Sequence, residues 1–167
     1  MGMIDAPAVV VCDAGPLIHL DELRCTALLK DFQRVLIPAQ VLGEVYTHRP
    51  DLAEQSDFRF ESIEVALSTE PSFRALVTMF ALDLGEQAAL SLMQRFPQAI
   101  FLTDDAAARL AADSLGLRVH GTIGVLVRAI RRQQLSREEV LGLLHQIPER
   151  SSLHIKRSLL EEIISRL

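Results

Sequence analysis

Three aspartates occupy positions where an α/β protein can place reactive groups. Asp13 directly follows an apolar run at residues 8–12, and Asp104 and Asp105 directly follow a second run at residues 100–103. Such β-branched and apolar runs are typical of buried strands in a parallel sheet, and ligand sites in these sheets lie at the carboxyl ends of the strands. If the two strands are neighbours, we expect the three carboxylates to meet at one edge.

Two glutamates lie in segments with helical periodicity. Glu44 is three positions from Val41 and so lies near the apolar stripe formed by Val41 and Val45. A carboxylate beside an apolar stripe indicates a functional role. Glu86 is followed at spacings of three and four by apolar residues on the same face. Both glutamates are therefore candidates to join the aspartates in one pocket.

Each acid also has a purely structural interpretation. Asp13 can start a turn before Gly15, and Asp104 or Asp105 can cap a helix that begins at Ala106. Glu86 can interact with the helix dipole in a first turn. Taken singly, the residues do not decide between capping and chemistry.

Carboxylates gathered in one pocket repel each other and raise each other's pKa unless a divalent cation neutralises them. Oxygen ligands with several retained waters are typical of Mg²⁺, and Mn²⁺ accepts the same donors. Such sites usually perform phosphoryl or phosphodiester chemistry. The chain has no GxSxG elbow, no Walker loop, no GxGxxG after its first strand and no zinc motif of the HExxH or CxxC type. The group of acidic residues is therefore the remaining candidate for a reactive site.

The elements that must position these acids alternate along the chain. Apolar runs predict strands at 8–12, 35–37, 63–65, 100–102 and 117–119, and spacings of three and four predict helices at 39–48, 73–82, 85–96, 106–115 and 123–133. This alternation predicts an α/β fold, a three-layer α/β/α sandwich with a Rossmann-like, mostly parallel sheet of four to five strands.

The last part of the chain is predicted to be helical. Ser136 is expected to cap a helix with Glu139 completing a capping box, and a break is expected near Pro148, giving two C-terminal helices. We expect residues 1–167 to form a single domain, with 136–167 as its helical C-terminal extension. The extension is rich in Leu and Ile, which favours packing on a second subunit and a homodimer.

The composition of the chain excludes several classes of function. The chain has 167 residues, 49% of them hydrophobic, and a net charge of −5, so it is globular and unsuited to coating nucleic acid by bulk electrostatics. Its apolar run at 8–12 is far too short to span a bilayer, so we expect no membrane association. Cys12 and Cys25 are interpreted as small buried hydrophobes, which fits a reducing, cytoplasmic location.

Positive charge is concentrated late in the chain. Arg128, Arg131 and Arg132 lie close together, and arginine suits bidentate contacts to phosphate, so we expect them to bind RNA backbone. Thr122, in a Gly121-Thr122-Ile123-Gly124 turn, could present its hydroxyl and nearby N–H groups to a phosphate. Both features also have structural interpretations. The arginines can offset the negative end of a helix dipole, and Thr122 can be the N-cap of a helix.

The acidic segments resemble, in order and spacing, the four acidic motifs of PIN domains. The resemblance extends over nearly the whole chain, and it is closest to a branch of prokaryotic PIN-like proteins related to VapC-type toxins. The segments that carry it are residues 10–18, 42–45, 84–88 and 102–105, together with the later stretch 115–124.

The resemblance implies a Rossmann-like fold, often homodimeric, that cuts single-stranded or structured RNA by hydrolysis with Mg²⁺ or Mn²⁺. Carried over to this chain, it implies Asp13, Glu44, Glu86 and Asp105 as the catalytic cluster, with Asp104 as a further metal ligand and Thr103 as a supporting residue. It also implies a ribonuclease that could be the toxin of a toxin–antitoxin pair, with a cognate antitoxin-like protein as partner.

Two positions depart from the common pattern. Gly15 stands where many PIN nucleases have Ser or Thr, and Glu86 stands where Asp is commoner. The alternative function is therefore a catalytically weak or inactive PIN-like module that binds nucleic acid or protein. A phosphotransfer domain with Asp13 as nucleophile would need a second Asp at position 15, which is Gly, or a Lys near the last strand, whereas Lys occurs only at 30 and 156.

Overall fold

Five strands form one parallel sheet in the computed structural model, which describes residues 8–55 and 57–167. In chain order they are β1 (Val9–Cys12), β2 (Arg34–Pro38), β3 (Glu61–Ile63), β4 (Ile100–Leu102) and β5 (Arg118–His120). Across the sheet the order is β3-β2-β1-β4-β5, and each neighbouring pair is parallel. The predicted α/β class and the parallel sheet are confirmed.

Helices connect the strands and cover both faces of the sheet. A 3-10 helix at Thr26–Asp31 precedes β2. The α-helices are α1 (Ala14–Glu22), α2 (Ala39–His48), α3 (Leu52–Gln55), α4 (Pro71–Met79), α5 (Leu84–Arg95), α6 (Ala106–Ser114), α7 (Thr122–Arg131), α8 (Arg137–Arg150) and α9 (Arg157–Arg166). None of the helices in the described residues is both long and apolar enough to cross a membrane.

The sheet separates two apolar cores. Val10 and Cys12 pack on one face with side chains of α1, α2, α7 and α8, whereas Val11 packs on the other face with side chains of α4, α5 and α6. Because successive strand residues point to opposite faces, a strand that is apolar at every position belongs between two helical layers. The three-layer sandwich follows from this pattern. Cys12 and Cys25 are both buried, as expected.

The order of the strands changes direction at β1. The chain passes from β1 to β2 and β3 on one side and then crosses to β4 and β5 on the other side. In open parallel sheets such a switch leaves a crevice at the carboxyl ends of the two strands concerned. Two hydrogen bonds extend the pairing into this edge: Asp13 N donates to Leu102 O (2.9 Å) and Thr103 N donates to His120 O (2.9 Å).

The C-terminal helices belong to the core of the chain itself. Ser136 caps α8 in the predicted capping box, its Oγ accepting from Glu139 N (3.1 Å) and its N donating to Glu139 Oε2 (2.7 Å). Leu144 of α8 and Leu160 of α9 are buried in the core on the α1 and α7 face. The apolar content that favoured a second subunit is thus used largely within the chain.

The end of the chain follows the prediction of two helices with a break near Pro148. α8 ends at Arg150, two residues after Pro148, and α9 begins at Arg157. Pro148 itself lies in the last turn of α8, where its missing N–H costs one hydrogen bond near a helix end that frays in any case. Gly15 and Pro16 lie in the first turn of α1, where proline is tolerated because a backbone N–H there has no acceptor within the helix.

Candidate active site

A cavity of about 280 Å³ lies at the carboxyl ends of β1 and β4, where the strand order switches. Its wall is formed mainly by carboxylates, and we call it the acidic cavity. The lining residues are Asp13, Ala14, Gly15, His19, Glu44, Asp83, Glu86, Asp104, Asp105 and Leu153. The structure therefore brings together all four acids of the predicted catalytic cluster, although they are spread over more than half of the chain.

Asp13 is both a helix cap and a wall of the acidic cavity. Its Oδ1 accepts from Ala14 N (2.9 Å) at the start of α1, and its Oδ2 accepts from Thr103 Oγ1 (2.9 Å). The side chain is buried, and burial raises its pKa to about 6 against the lowering effect of these two hydrogen bonds. The charges of Asp83 and Glu44 raise the pKa further. A positive neighbour would therefore stabilise the ionised form of Asp13.

Asp105 also combines a cap with a place on the cavity wall. Its Oδ1 accepts from Ala108 N (2.8 Å), capping α6, while its backbone N donates to Thr103 Oγ1 (3.2 Å). The Thr103 hydroxyl, which is fully buried, therefore links the Asp13 carboxylate to the start of α6. This contact fixes the relative position of the two acids.

Glu86 and Asp83 form the capping box of α5. Glu86 Oε2 accepts from Asp83 N (2.8 Å), and Asp83 Oδ1 accepts from Glu86 N (2.8 Å). Glu86 is 8% exposed, and burial raises its pKa to about 7 despite the hydrogen bond from Asp83 N. The charges of Asp83, Asp105 and Asp13 act in the same direction as burial. At neutral pH and without a cation, a large fraction of Glu86 is protonated.

Glu44 reaches the acidic cavity from α2. Its neighbours Val41 and Val45 are buried, but Glu44 itself is exposed, so it lies beside the apolar stripe and not on it. A Cβ built on Gly85 would lie 3.4 Å from Glu44 Oε2, which shows how closely the glutamate approaches the first turn of α5. Partial burial, followed by the charge of Asp83, raises the pKa of Glu44.

A comparison with protein families identifies this arrangement. The family model described as PIN domain matches residues 9–167. The chain belongs to the PIN-domain family. No curated protein is significantly similar to it. PIN domains have in general a nuclease-like fold that acts on nucleic acid, and typically use divalent metals.

The acids of this PIN domain fit a hydrated divalent cation. Every candidate ligand is a carboxylate oxygen, and burial together with mutual repulsion raises the pKa of Asp13, Glu44 and Glu86. Within the described residues, no three side chains of His, Cys, Asp or Glu come close enough to enclose an ion by themselves. An open set of oxygen donors that leaves room for water is what Mg²⁺ accepts, because this ion dehydrates reluctantly.

Asp104 lines the acidic cavity, but its carboxylate is held by protein donors. Its Oδ1 accepts from Thr122 N (2.7 Å), and its Oδ2 accepts from Thr122 Oγ1 (2.6 Å) and from His19 Nδ1 (2.7 Å). Both oxygens are thus committed to protein donors, so we assign Asp104 to holding α1 and α7 together and not to binding metal. Thr122 is fully buried with its hydroxyl on Asp104, so its predicted role at an RNA phosphate is not kept either.

The arginines predicted to bind RNA lie elsewhere. Arg128 and Arg132 both form ion pairs with Asp31, and the Arg128 guanidinium stacks 4.3 Å from the centre of the Phe32 ring. They and the exposed Arg131 lie in or just beyond the last turn of α7, roughly 9 to 15 Å along the helix axis from its first residue, Thr122. We do not assign Arg128 or Arg132 to RNA, because their charges are already balanced by Asp31.

Two cavity residues were missed by the sequence analysis. Asp83 has a signal in the sequence, since Asp followed three residues later by Glu is a capping-box pattern that places both carboxylates at one helix start. His19 has a weaker signal, four positions after Gly15 and thus on the same face of α1. Its contact with Asp104 depends on tertiary structure and could not be read from the chain.

Proposed function

We propose that this PIN domain is a metal-dependent endoribonuclease that hydrolyses RNA phosphodiester bonds with Mg²⁺ or Mn²⁺. The observation that carries the proposal is the meeting of Asp13, Glu44, Glu86 and Asp105 at one cavity, with three of their pKa values raised by burial and mutual charge. A cation stabilises the ionised form of such a set, and cations at a water-accessible site support phosphodiester hydrolysis.

The proposed roles follow from what each side chain touches. Asp13, Glu86 and Asp105 hold the cation, and Thr103 keeps Asp13 and Asp105 in register through its hydroxyl. Glu44 is exposed at the cavity and orients the attacking water. A cation held by these residues would supply Lewis acidity and lower the pKa of a water. The water oxygen bonds to phosphorus and loses a proton to solvent, the bond from phosphorus to O3′ breaks, and the leaving O3′ takes up a proton from solvent.

The proposal extends to partners and location. We place the protein in the cytoplasm, as a single domain over 1–167 that forms a homodimer, and in the role of a toxin whose cognate antitoxin covers the acidic cavity. The alternative is a catalytically weak or inactive PIN module that binds nucleic acid or protein, and the Gly15 position favours it because no hydroxyl is present at that part of the wall.

Calorimetric titration with Mn²⁺, followed by incubation with a labelled mixed-sequence RNA, tests the proposal. We expect Asp13→Asn to weaken Mn²⁺ binding by more than about tenfold and to lower the cleavage rate by about a hundredfold or more. Asp113→Asn is the matched control, because Asp113 is an exposed aspartate on α6 outside the cavity lining. Equal binding by wild type and Asp13→Asn would refute the metal site. Binding of Mn²⁺ by wild type without cleavage would favour the inactive module.

A further inference from the structure

A second cavity adjoins the acidic cavity and shares two of its walls. It has a volume of about 450 Å³, and Asp104 and Leu153 line both cavities. Its floor is the start of α7 with Arg109 and His120, and its far wall is the C-terminal segment with His154, Ile155 and Leu159. We call it the lateral groove. A strand of RNA with one phosphate in the acidic cavity has this groove next to it.

The floor of the lateral groove carries the Arg109 guanidinium, which lies beside the Asp104 carboxylate, whose oxygens are hydrogen-bonded to Thr122 and His19. Arg109 is half-buried, with Nη2 donating to Thr103 O (3.3 Å), so its guanidinium is held beside the shared wall. Burial lowers the pKa of His120, and the charges of four arginines, Arg118, Arg131, Arg109 and Arg128, lower it further. Among these arginines Arg109 lines the groove itself, and its charge is favourable for a phosphate.

The first turn of α7 adds polar donors to the floor. Ile123 and Gly124 line the groove at the second and third positions of the helix, where a backbone N–H has no acceptor within the helix. A Cβ built on Gly124 would lie 3.3 Å from His120 Nδ1, so glycine here lets the imidazole lie against this turn. The N–H groups at the N-terminal end of α7 and the Arg109 guanidinium both face the floor of the lateral groove, where they favour an anion.

The far wall is apolar and is tied down. Leu159 on α9 is 48% exposed although it is a large apolar side chain, and Leu153 and Ile155 lie beside it in the groove. The segment that carries this wall is anchored to α1, since Ser152 donates from both N (2.6 Å) and Oγ (2.6 Å) to the Glu22 carboxylate. A fixed apolar wall opposite the Arg109 guanidinium fits a nucleotide, because the base can pack on aliphatic side chains while the phosphate lies near the positive charge.

We propose that the lateral groove is the subsite for the RNA nucleotide adjacent to the scissile phosphate, with the phosphate on Arg109 and the start of α7 and the base on Leu153, Ile155 and Leu159. The proposal rests on the proposed function, because the acidic cavity defines where the scissile phosphate lies. It assigns the C-terminal segment a role in binding substrate, beyond its packing on the core.

Binding of RNA without metal tests the groove separately from cleavage. The probe is a fluorescein-labelled mixed-sequence RNA hexamer, titrated in EDTA and followed by fluorescence anisotropy. The double variant His154→Ala with Leu159→Ser should weaken binding by about fivefold, because it removes exposed wall and leaves the core intact. Leu110→Ser is the matched control, since Leu110 is 57% exposed and lies outside the groove lining.

An abasic hexamer separates the base from the phosphate. With this probe the double variant and wild type should bind equally. Arg109→Gln should weaken binding of both probes and reduce the slope of log Kd against log salt by about 0.7, the value for one phosphate contact on a single strand. Arg34→Gln, which changes an exposed arginine at the start of β2, controls for net charge.

The outcomes distinguish the groove from the nuclease activity. Loss of metal-free binding in the groove variants, with no cleavage by wild type in Mn²⁺, would keep the subsite and refute the ribonuclease. Wild-type binding by the groove variants, or no saturable binding by wild type itself, would overturn the subsite whatever the cleavage result.

Discussion

Asp13 meets two demands that act against each other. The start of α1 needs an acceptor at this position, and the two hydrogen bonds from Ala14 and Thr103 favour the carboxylate form. Burial and the nearby acids favour the neutral form and prevail, so that the pKa is raised to about 6. In the folded protein Asp13 therefore favours a bound proton or a nearby cation. Its raised pKa makes the free energy of unfolding depend on pH.

The free energy of unfolding without metal should fall as the pH rises from about 4 to about 7. The folded pKa values of Asp13 (about 6) and Glu86 (about 7) lie above their ordinary values of 3.8 and 4.5. The folded state therefore binds protons that the unfolded state releases, so stability is highest below the ordinary pKa values and is lost through this window. For Asp13 we expect a loss of about 2 kcal/mol, or about 5 °C in Tm.

Thermal unfolding in EDTA at several pH values checks this expectation. In Asp13→Asn the fall in Tm should be shallower, because one of the two titrating groups is gone, and at pH 8 the variant should be more stable than wild type. Adding Mn²⁺ should restore the wild type and leave the variant nearly unchanged. A Tm in EDTA that stays constant or rises between pH 5 and pH 8, identically in both proteins, would contradict the account.

At the level of elements, the parts with strong patterns were predictable. β4 was predicted at its observed bounds, and β1 within one residue, because both are apolar on both faces. β3 was predicted two residues late, since it is an edge strand whose observed residues are largely exposed and carry no alternation. The 3-10 helix at Thr26–Asp31 has no such period and was not predicted.

The same contrast holds for the acidic cavity. The order and type of its acids were readable because each follows a strand or starts a helix. The hydrogen bonds to both Asp104 oxygens could not be read from the sequence, because their donors His19 and Thr122 lie 85 and 18 positions away. The pairing of Arg128 and Arg132 with Asp31 likewise depends on how α7 packs beside the 3-10 helix. Partners this distant leave no local pattern.

The turn from β5 into α7 is the element most sensitive to substitution at the cavity. A Cβ on Gly121 would lie 2.6 Å from Asp104 Oδ1 and 3.0 Å from Arg109 Nη2. Asp104 cannot move aside without losing its bonds to Thr122. Gly121→Ala should therefore lower the free energy of unfolding by about 2 kcal/mol, as measured by urea denaturation.

Gly142→Ala is the opposite case. Gly142 lies inside α8, and a Cβ there meets nothing within 4 Å. Alanine is favoured over glycine in a helix interior, so this variant should gain about 0.5 kcal/mol or more. Equal effects of the two substitutions would mean that the close approach at Gly121 does not exist.

For the whole molecule, the C-terminal helices are part of the fold. Val140, Leu144 and Ile147 of α8 are fully buried, and Leu160 of α9 is 5% exposed, all in the core that also contains α1 and α7. Through this core, α9 supports both the sheet and the wall of the lateral groove. If the lateral groove binds RNA as proposed, stability and substrate contact are carried by adjacent residues of one helix.

Leu160 and Leu159 separate these two roles. Leu160→Ala should lower the free energy of unfolding by about 2 to 3 kcal/mol, because it leaves a cavity in the core. Leu159→Ala should change it by less than about 0.5 kcal/mol, as is usual for an exposed side chain. Chemical denaturation of both variants measures the difference. Similar losses would show that α9 packs differently from the structure described above.

Because β1 lies at the centre of the sheet, the acidic cavity can form only after the later strand beside it has been synthesised. Among the five described strands β1 is synthesised first, but its neighbour β4 spans Ile100–Leu102, and Asp105 follows only then. A nascent chain shorter than this has Asp13, Glu44 and Glu86 but no complete acidic cavity. On the proposed function, the growing polypeptide cannot cut the messenger RNA that encodes it until β4 and Asp105 have been translated.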